Sequence, residues 1–270
     1  MNAVRQEEMM DTKSLGEALE KYLRVETFPL GILSVREPKE LPDKAREPVK
    51  HMHARLAICQ GISIARKYGW TVAMGKADVS CPIAKAVFGF EERLPYYDEG
   101  KLAVGMYTEG EESGRRMEEA LEKYDFGEFS HVVFGPLTRV DYEPDTVLVY
   151  GNSAQILRLV NAALFKEGGS IVSDYSGRGD CSDIIIKGRK RKKPQVILPC
   201  YGDRIFGMTA DHEMAFTFPF LVSDEIVEGL EKTHKMGVRY PIPQYLRFEA
   251  TYPPSYQELE KMWDEKGKSS

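Results

Sequence analysis

Apolar residues in this chain fall into short segments whose spacing switches between helical and extended periods. Ser14 with Glu17 has the form of a capping box and predicts a helix through about Val25. The unbroken apolar run 30–35 behind Pro29 predicts a buried strand, and the Pro- and charge-rich stretch 37–50 a loop. Leu56, Ile58, Ile62, Ile64 and Ala65 then recur with helical spacing as far as Tyr68 and Gly69. A short strand over 70–74 follows, and Cys81-Pro82 opens a short helix, because proline is well tolerated where the first-turn N–H has no partner anyway. The charged stretch 109–124 predicts a helix, and Val132, Val133 and Phe134 a strand.

The second half follows the same order. Residues 145–150 form an apolar strand, Gly151-Asn152-Ser153 a turn and N-cap, and 154–166 an amphipathic helix ending at Gly168-Gly169. A strand over 171–173 leads into a glycine-rich loop and Cys181. Ile184–Ile186 and Val196–Leu198 flank the basic run 187–193, the pattern of a hairpin with a solvated tip; an anionic partner is the minority reading of that run. A strand near 204–208, an extended segment over 214–220, a helix capped by Ser223 and a last helix from Pro254-Ser255 complete the chain.

Shifting the first half by one hundred positions superposes Gly69 on Gly169, Val72 on Val172 and Cys81 on Cys181. The expected fold is α+β (mixed α/β): one compact domain over 1–270, with an internal repeat of 28–140 and 141–248 packed as two intimate, pseudo-symmetric halves. The competing reading is two generic helix–turn–strand units.

A chain of 270 residues with 42% apolar composition can bury a substantial core. The net charge of −5 argues against a general nucleic-acid binder. The polar, acidic start does not resemble a secretory signal, and no stretch approaches the ~18 apolar residues of a membrane span. The expectation is therefore a cytoplasmic location with no nucleic-acid or membrane partner, where cysteines stay reduced.

That compartment gives Cys59, Cys81, Cys181 and Cys200 their interest. Four thiolates suffice for a [4Fe–4S] cluster or for zinc, and zinc ranks second because no close Cys-x-x-Cys knuckle occurs. A single cluster needs sulfurs within roughly 6–7 Å of one another. Thiol redox or nucleophilic chemistry, or plain apolar core thiols, are the other readings. In 200–204, Gly202 permits close backbone approach to a ligand, Arg204 could clamp an anion and Asp203 could orient it or move a proton; the bland alternative is a turn with a salt-bridged arginine. The loop 176–181 lacks the spacing of a phosphate cradle. Asp211-His212-Glu213 and the pair His51 and His53 read as solvated surface groups.

The phrases Leu56–Gly61, Ser80-Cys81-Pro82, Val147–Gln155 and Leu198–Arg204, followed by Glu213-Met214, resemble the prokaryotic family catalogued as domain of unknown function 169 over roughly residues 15 to 240. The resemblance implies that the four cysteine-bearing phrases belong to the family pattern; it implies no reaction. The leading expectation is an iron–sulfur or metal protein with a redox or small-anion-activating role. The alternative is a non-redox protein that binds a small anionic metabolite in the cleft between its halves, with Arg204 and the loop from Gly177 to Gly179 as contacts, and uses its cysteines as core filler. A third class is an assembly protein, a homo-oligomer joined through the apolar face of the last helix around Met262 and Trp263.

Overall fold

The computed structural model describes residues 10–242 and 250–268. In chain order the elements are α1 (Thr12–Leu23), β1 (Leu30–Val35), α2 (Pro48–Met52), α3 (Ile58–Tyr68), β2 (Val72–Gly75), α4 (Pro82–Val87), α5 (Pro95–Asp98), α6 (Glu111–Ala120), β3 (His131–Pro136), β4 (Thr146–Asn152) and α7 (Ser153–Ala163). A π-helical turn (Ser182–Ile186) runs into α8 (Lys187–Arg191), and β5 (Gln195–Ile197), α9 (Tyr201–Phe206), β6 (Glu213–Pro219), α10 (Ser223–Lys235) and α11 (Pro254–Lys268) follow. The mixed α+β class is as expected.

The six strands form one antiparallel sheet in the order β2-β3-β1-β4-β6-β5. Each half of the chain supplies three neighbouring strands, and the halves meet where β1 pairs with β4. Both faces are covered, so the central strands are apolar throughout rather than alternating. On one face Leu30, Ile32, Phe134, Leu148 and Tyr150 pack under α3, α4 and the helical stretch 184–186. On the other, Val147, Val149, Phe216 and Phe218 pack against α1, α7 and α10. Gly61 lets α3 lie close on β2: a Cβ there would stand 2.3 Å from Met74 Sδ. No helix among the described residues is long and apolar enough to cross a membrane.

Several local expectations are corrected. The helix predicted from Ser14 begins at Thr12, because Asp11 rather than Ser14 accepts the capping bond, from the Ser14 N–H at 2.9 Å. Ser223 is the first residue of α10, its hydroxyl donating to the Phe220 carbonyl. Ile171–Ser173 is not a strand; Val172 is 82% exposed, whereas Val72, its partner in the offset of one hundred, is buried in β2. That offset therefore does not bring Val72 and Val172 to equivalent places, and the predicted second repeat ends among residues outside the described ones. Ile184–Ile186 is helical rather than one arm of a hairpin. A short apolar run does not distinguish a buried helix from a strand, and here all three isoleucines are enclosed. The basic run continues that helix, with Lys187 buried against Asp183 at 2.7 Å. The strand expected near 204–208 is α9, a short helix after β5.

Candidate functional site

The four cysteines come from four separate segments, each at the start of a helical stretch. Cys59 is the second residue of α3, whose first turn is closed by the Gln60 side chain accepting the Ala57 N–H at 2.8 Å. Cys81 is the N-cap of α4, with Pro82 in the first turn. A short ladder joins these two segments: Leu56 N–H donates to the Asp78 carbonyl and Ser80 N–H to that of Leu56, both at 2.8 Å. Cys181 lies in the helical stretch that begins at Asp180, and Cys200 is the N-cap of α9. The π turn after Cys181 adds a residue to the helix, a distortion frequent at functional sites.

All four line one cavity of about 580 Å³, together with Asp180, Asp203, Gly202, Arg178, Gly179 and Tyr107. Ile58, Ile83, Leu102, Met106 and Phe206 supply its apolar walls. No three of the four sulfurs lie within 4.8 Å of one another, so the thiols ring the cavity rather than meet at a point. Cys59 Sγ faces the Gly202 carbonyl at 3.7 Å, and Cys200 Sγ donates to Asp180 Oδ1 at 2.9 Å.

The electrostatics of this cavity are lopsided. Asp180 and Asp203 are both buried, and neither has a lysine or arginine in ion-pair contact. Burial, and then the Asp203 charge, hold the Asp180 carboxyl well above the ordinary carboxylate range. Burial raises Asp203 as well, against the opposing hydrogen bonds from Tyr150 and Thr209, both 2.9 Å from Oδ2. Burial pushes the Cys200 thiol up to about 12, aided by Asp180, and raises Cys59 and Cys181 too. The two arginines nearby are already paired. Arg66 is bidentate to Glu213 at 2.6 and 3.1 Å, lies over the Tyr150 ring at 4.1 Å and donates to Thr209 at 3.2 Å. Arg178 is bound to Glu118 and lies over Tyr107. Asp180 Oδ2 is buried without a hydrogen-bond partner. The cavity thus presents two carboxyls and four thiols and offers no free cation in return.

Of the residues singled out from sequence, the four cysteines, Gly202 and Asp203 line this cavity. Arg204 does not: its guanidinium donates to the carbonyls of Ala210 at 2.6 Å and Glu213 at 3.5 Å, bracing the loop before β6. In the loop 176–181 it is Arg178, Gly179 and Asp180 that reach the cavity. Asp211, His212, His51 and His53 are exposed. Glu213, read as a surface group, is the partner of a buried arginine. Sequence reasoning assigned no role to Asp180, Arg66 and Tyr150. The one signal for Asp180 was its position beside Cys181. Gly207 also belongs here, since a Cβ would stand 2.2 Å from Asp203 Oδ1, so only glycine leaves that carboxyl its place.

These features describe an antiparallel sheet protein with a thiol-lined, carboxyl-rich cavity built from both halves of the chain. Residues 18–229 match the model of the DUF169 family, described as uncharacterised ArCR, and the chain belongs to that family. All four cysteines, Asp180 and Asp203 fall within the matched span. The chain is 32% identical over 134 residues to "Uncharacterized protein MJ0308" of Methanocaldococcus jannaschii, a match covering 49% of this chain and 57% of that protein. No solved structure matches the chain.

Proposed function

We propose that this protein is a thiolate-ligated metalloprotein with a redox or small-anion-activating role, in which Cys59, Cys81, Cys181 and Cys200 hold a [4Fe–4S] cluster. The observation that carries this reading is that the only four cysteines of the chain, from four separate segments, line a single cavity. Their spacing weighs against a preformed zinc site. Zinc–sulfur bonds of about 2.3 Å in a tetrahedron bring sulfurs within about 4 Å, closer than any three of them stand, whereas an iron–sulfur core accepts a wider ring. When bound, such a cluster supplies one-electron transfer and, at an iron left open, a Lewis-acid site.

The protein's own groups have defined parts in this reading. Ligation would require the thiols to lose their protons, and the Cys200 S–H already donates to Asp180 Oδ1 at 2.9 Å. Asp203, held by Tyr150 and Thr209, fixes the far side of the carboxyl pair, and Ile83, Leu102, Met106 and Phe206 form the apolar wall beside the sulfurs. The reading requires a reducing compartment, which the cytoplasm provides.

A second reading, a metal-free binder of a small anionic molecule, is favoured by the cavity volume, which lies in the range of small-ligand pockets. Anaerobic purification after iron-replete expression separates the two. The cluster reading expects visible absorption with iron and acid-labile sulfide in equal amounts, all lost in Cys59→Ser and Cys181→Ser. A colourless protein with neither iron nor sulfide overturns it and leaves the anion-binding reading.

A further inference from the structure

Beyond the Gly75 end of β2 a second group of donors meets, without any cysteine. Arg46 runs along the free edge of β2, its N–H donating to Thr71 O at 2.9 Å and its carbonyl accepting from Ala73 at 3.0 Å, which carries Glu47 to the end of the strand. Asp78 lies in the turn after β2, and His131 opens β3 opposite Gly75. Ligand atoms of Glu47, Asp78 and His131 all lie within 4.8 Å of one another, with His131 Nε2 3.9 Å from Glu47 Oε1.

The hydrogen bonds around this group are those of an oriented donor set. Ser130 Oγ lies 3.1 Å from the Val35 carbonyl and 3.0 Å from His131 Nδ1, so its hydroxyl engages that ring nitrogen. With Nδ1 engaged, Nε2 is the ring nitrogen turned towards Glu47, and no donor is hydrogen-bonded to it. Asp78 is buried, and its two oxygens accept the N–H groups of Val49 at 2.9 Å and Gly75 at 3.1 Å, which lock the carboxylate in place. An imidazole with its second nitrogen engaged and a carboxylate held by hydrogen bonds is the usual outer shell of a metal ligand set. The cations nearby are held by other groups: Lys76 pairs with Glu91 at 2.8 Å, Arg36 with Glu128 at 3.9 Å, and Lys50 reaches only the other oxygen of Glu47, at 3.4 Å.

We infer that Glu47, Asp78 and His131 form a binding site for a divalent first-row transition cation. One imidazole and two carboxylates suit Mn²⁺, Fe²⁺ or Zn²⁺ over Mg²⁺ and Ca²⁺, which prefer oxygen alone. Three protein ligands leave coordination positions open, and they face a cavity of about 480 Å³ bordered by Arg36 and Lys76, as in sites that take an exchangeable ligand rather than a purely structural ion. This site is independent of the cysteine cavity.

Mn²⁺ is the probe, because it is a poor thiolate binder and its free aqueous signal disappears from the electron paramagnetic resonance spectrum on binding. Titrating the metal-free full-length chain should show one Mn²⁺ per chain, unaffected by excess Mg²⁺. Affinity should fall by about 100-fold in His131→Gln, by tenfold or more in Glu47→Gln, and stay unchanged in Cys59→Ser and Cys200→Ser. Circular dichroism checks that the variants fold, and Glu47, on a partly exposed loop, is the safe one to alter. No binding in the wild type, as a plain imidazolium–carboxylate contact would give, overturns the assignment. So does binding that survives in Glu47→Gln and His131→Gln, or that is lost in the cysteine variants.

Discussion

Glu213→Ala is the most direct test of how the cavity is braced. Arg66 is 1% exposed, and Glu213 supplies both of its charge-assisted bonds, at 2.6 and 3.1 Å, while also accepting the Ala210 N–H at 2.7 Å. Truncating Glu213 leaves a buried guanidinium with only Thr209, a long contact of 3.4 Å to Thr27 Oγ1 and the Tyr150 ring, and frees the exposed Ala210 N–H to solvent. Breaking a buried pair from one side costs about 3–5 kcal/mol. The Glu213 side chain keeps 13% exposure, through which water can reach the site, so the lower end applies, about 3 kcal/mol. With a urea dependence of about 3 kcal/mol per molar, the midpoint should fall by about 1 M. Replacing both partners, Arg66→Met with Glu213→Leu, removes the stranded charge and should recover more than half of that loss. The assay is urea unfolding followed by far-ultraviolet circular dichroism at neutral pH. A shift below about 0.3 M for Glu213→Ala, or a double variant less stable than the single one, would refute the reasoning. The pair also has a pH signature. Burial acts to raise the Glu213 pKa, but the Arg66 and Ala210 bonds outweigh it and hold it below the usual value. Its contribution is present above about pH 4.5 and is lost as pH falls below that range.

Asp180 carries the opposite sign. A carboxyl raised on folding costs nothing below its unfolded pKa, near 3.9, and increasingly destabilises the native state as pH rises above it. Metal-free Asp180→Asn keeps an acceptor for Cys200 and should gain on the wild type progressively from about pH 4 towards alkaline pH, by urea midpoints; identical pH profiles would count against it. Gly229→Ala should cost about 1–3 kcal/mol, read as a lowered melting temperature, because a Cβ there would stand 2.2 Å from the Ala162 carbonyl where α10 crosses α7; an unchanged melting point would show that the helices can separate freely.

The sequence alone determined what local spacing records. β1 and β4 are legible as continuous apolar runs because both faces of the sheet are covered. The helical periods of α3, α7 and α10 are legible because each buries one stripe. Cys81-Pro82 announces a helix start through proline's fixed φ and missing N–H. Burial on one side is written into the order of residues. Which groups share that burial is not, and there the tertiary structure decided. Ile184–Ile186 and 201–206 became helical because of what encloses them or follows them, not through any period of their own. Arg204 turned to nearby carbonyls, while Arg66 and Glu213, 147 positions apart, were brought together across the sheet's end. The four thiols stand on separate segments, and only the docking of α3, α4, the 180–191 stretch and α9 around one cavity makes them a set. Contacts between distant segments depend on how whole faces pack, and no window of sequence carries that information.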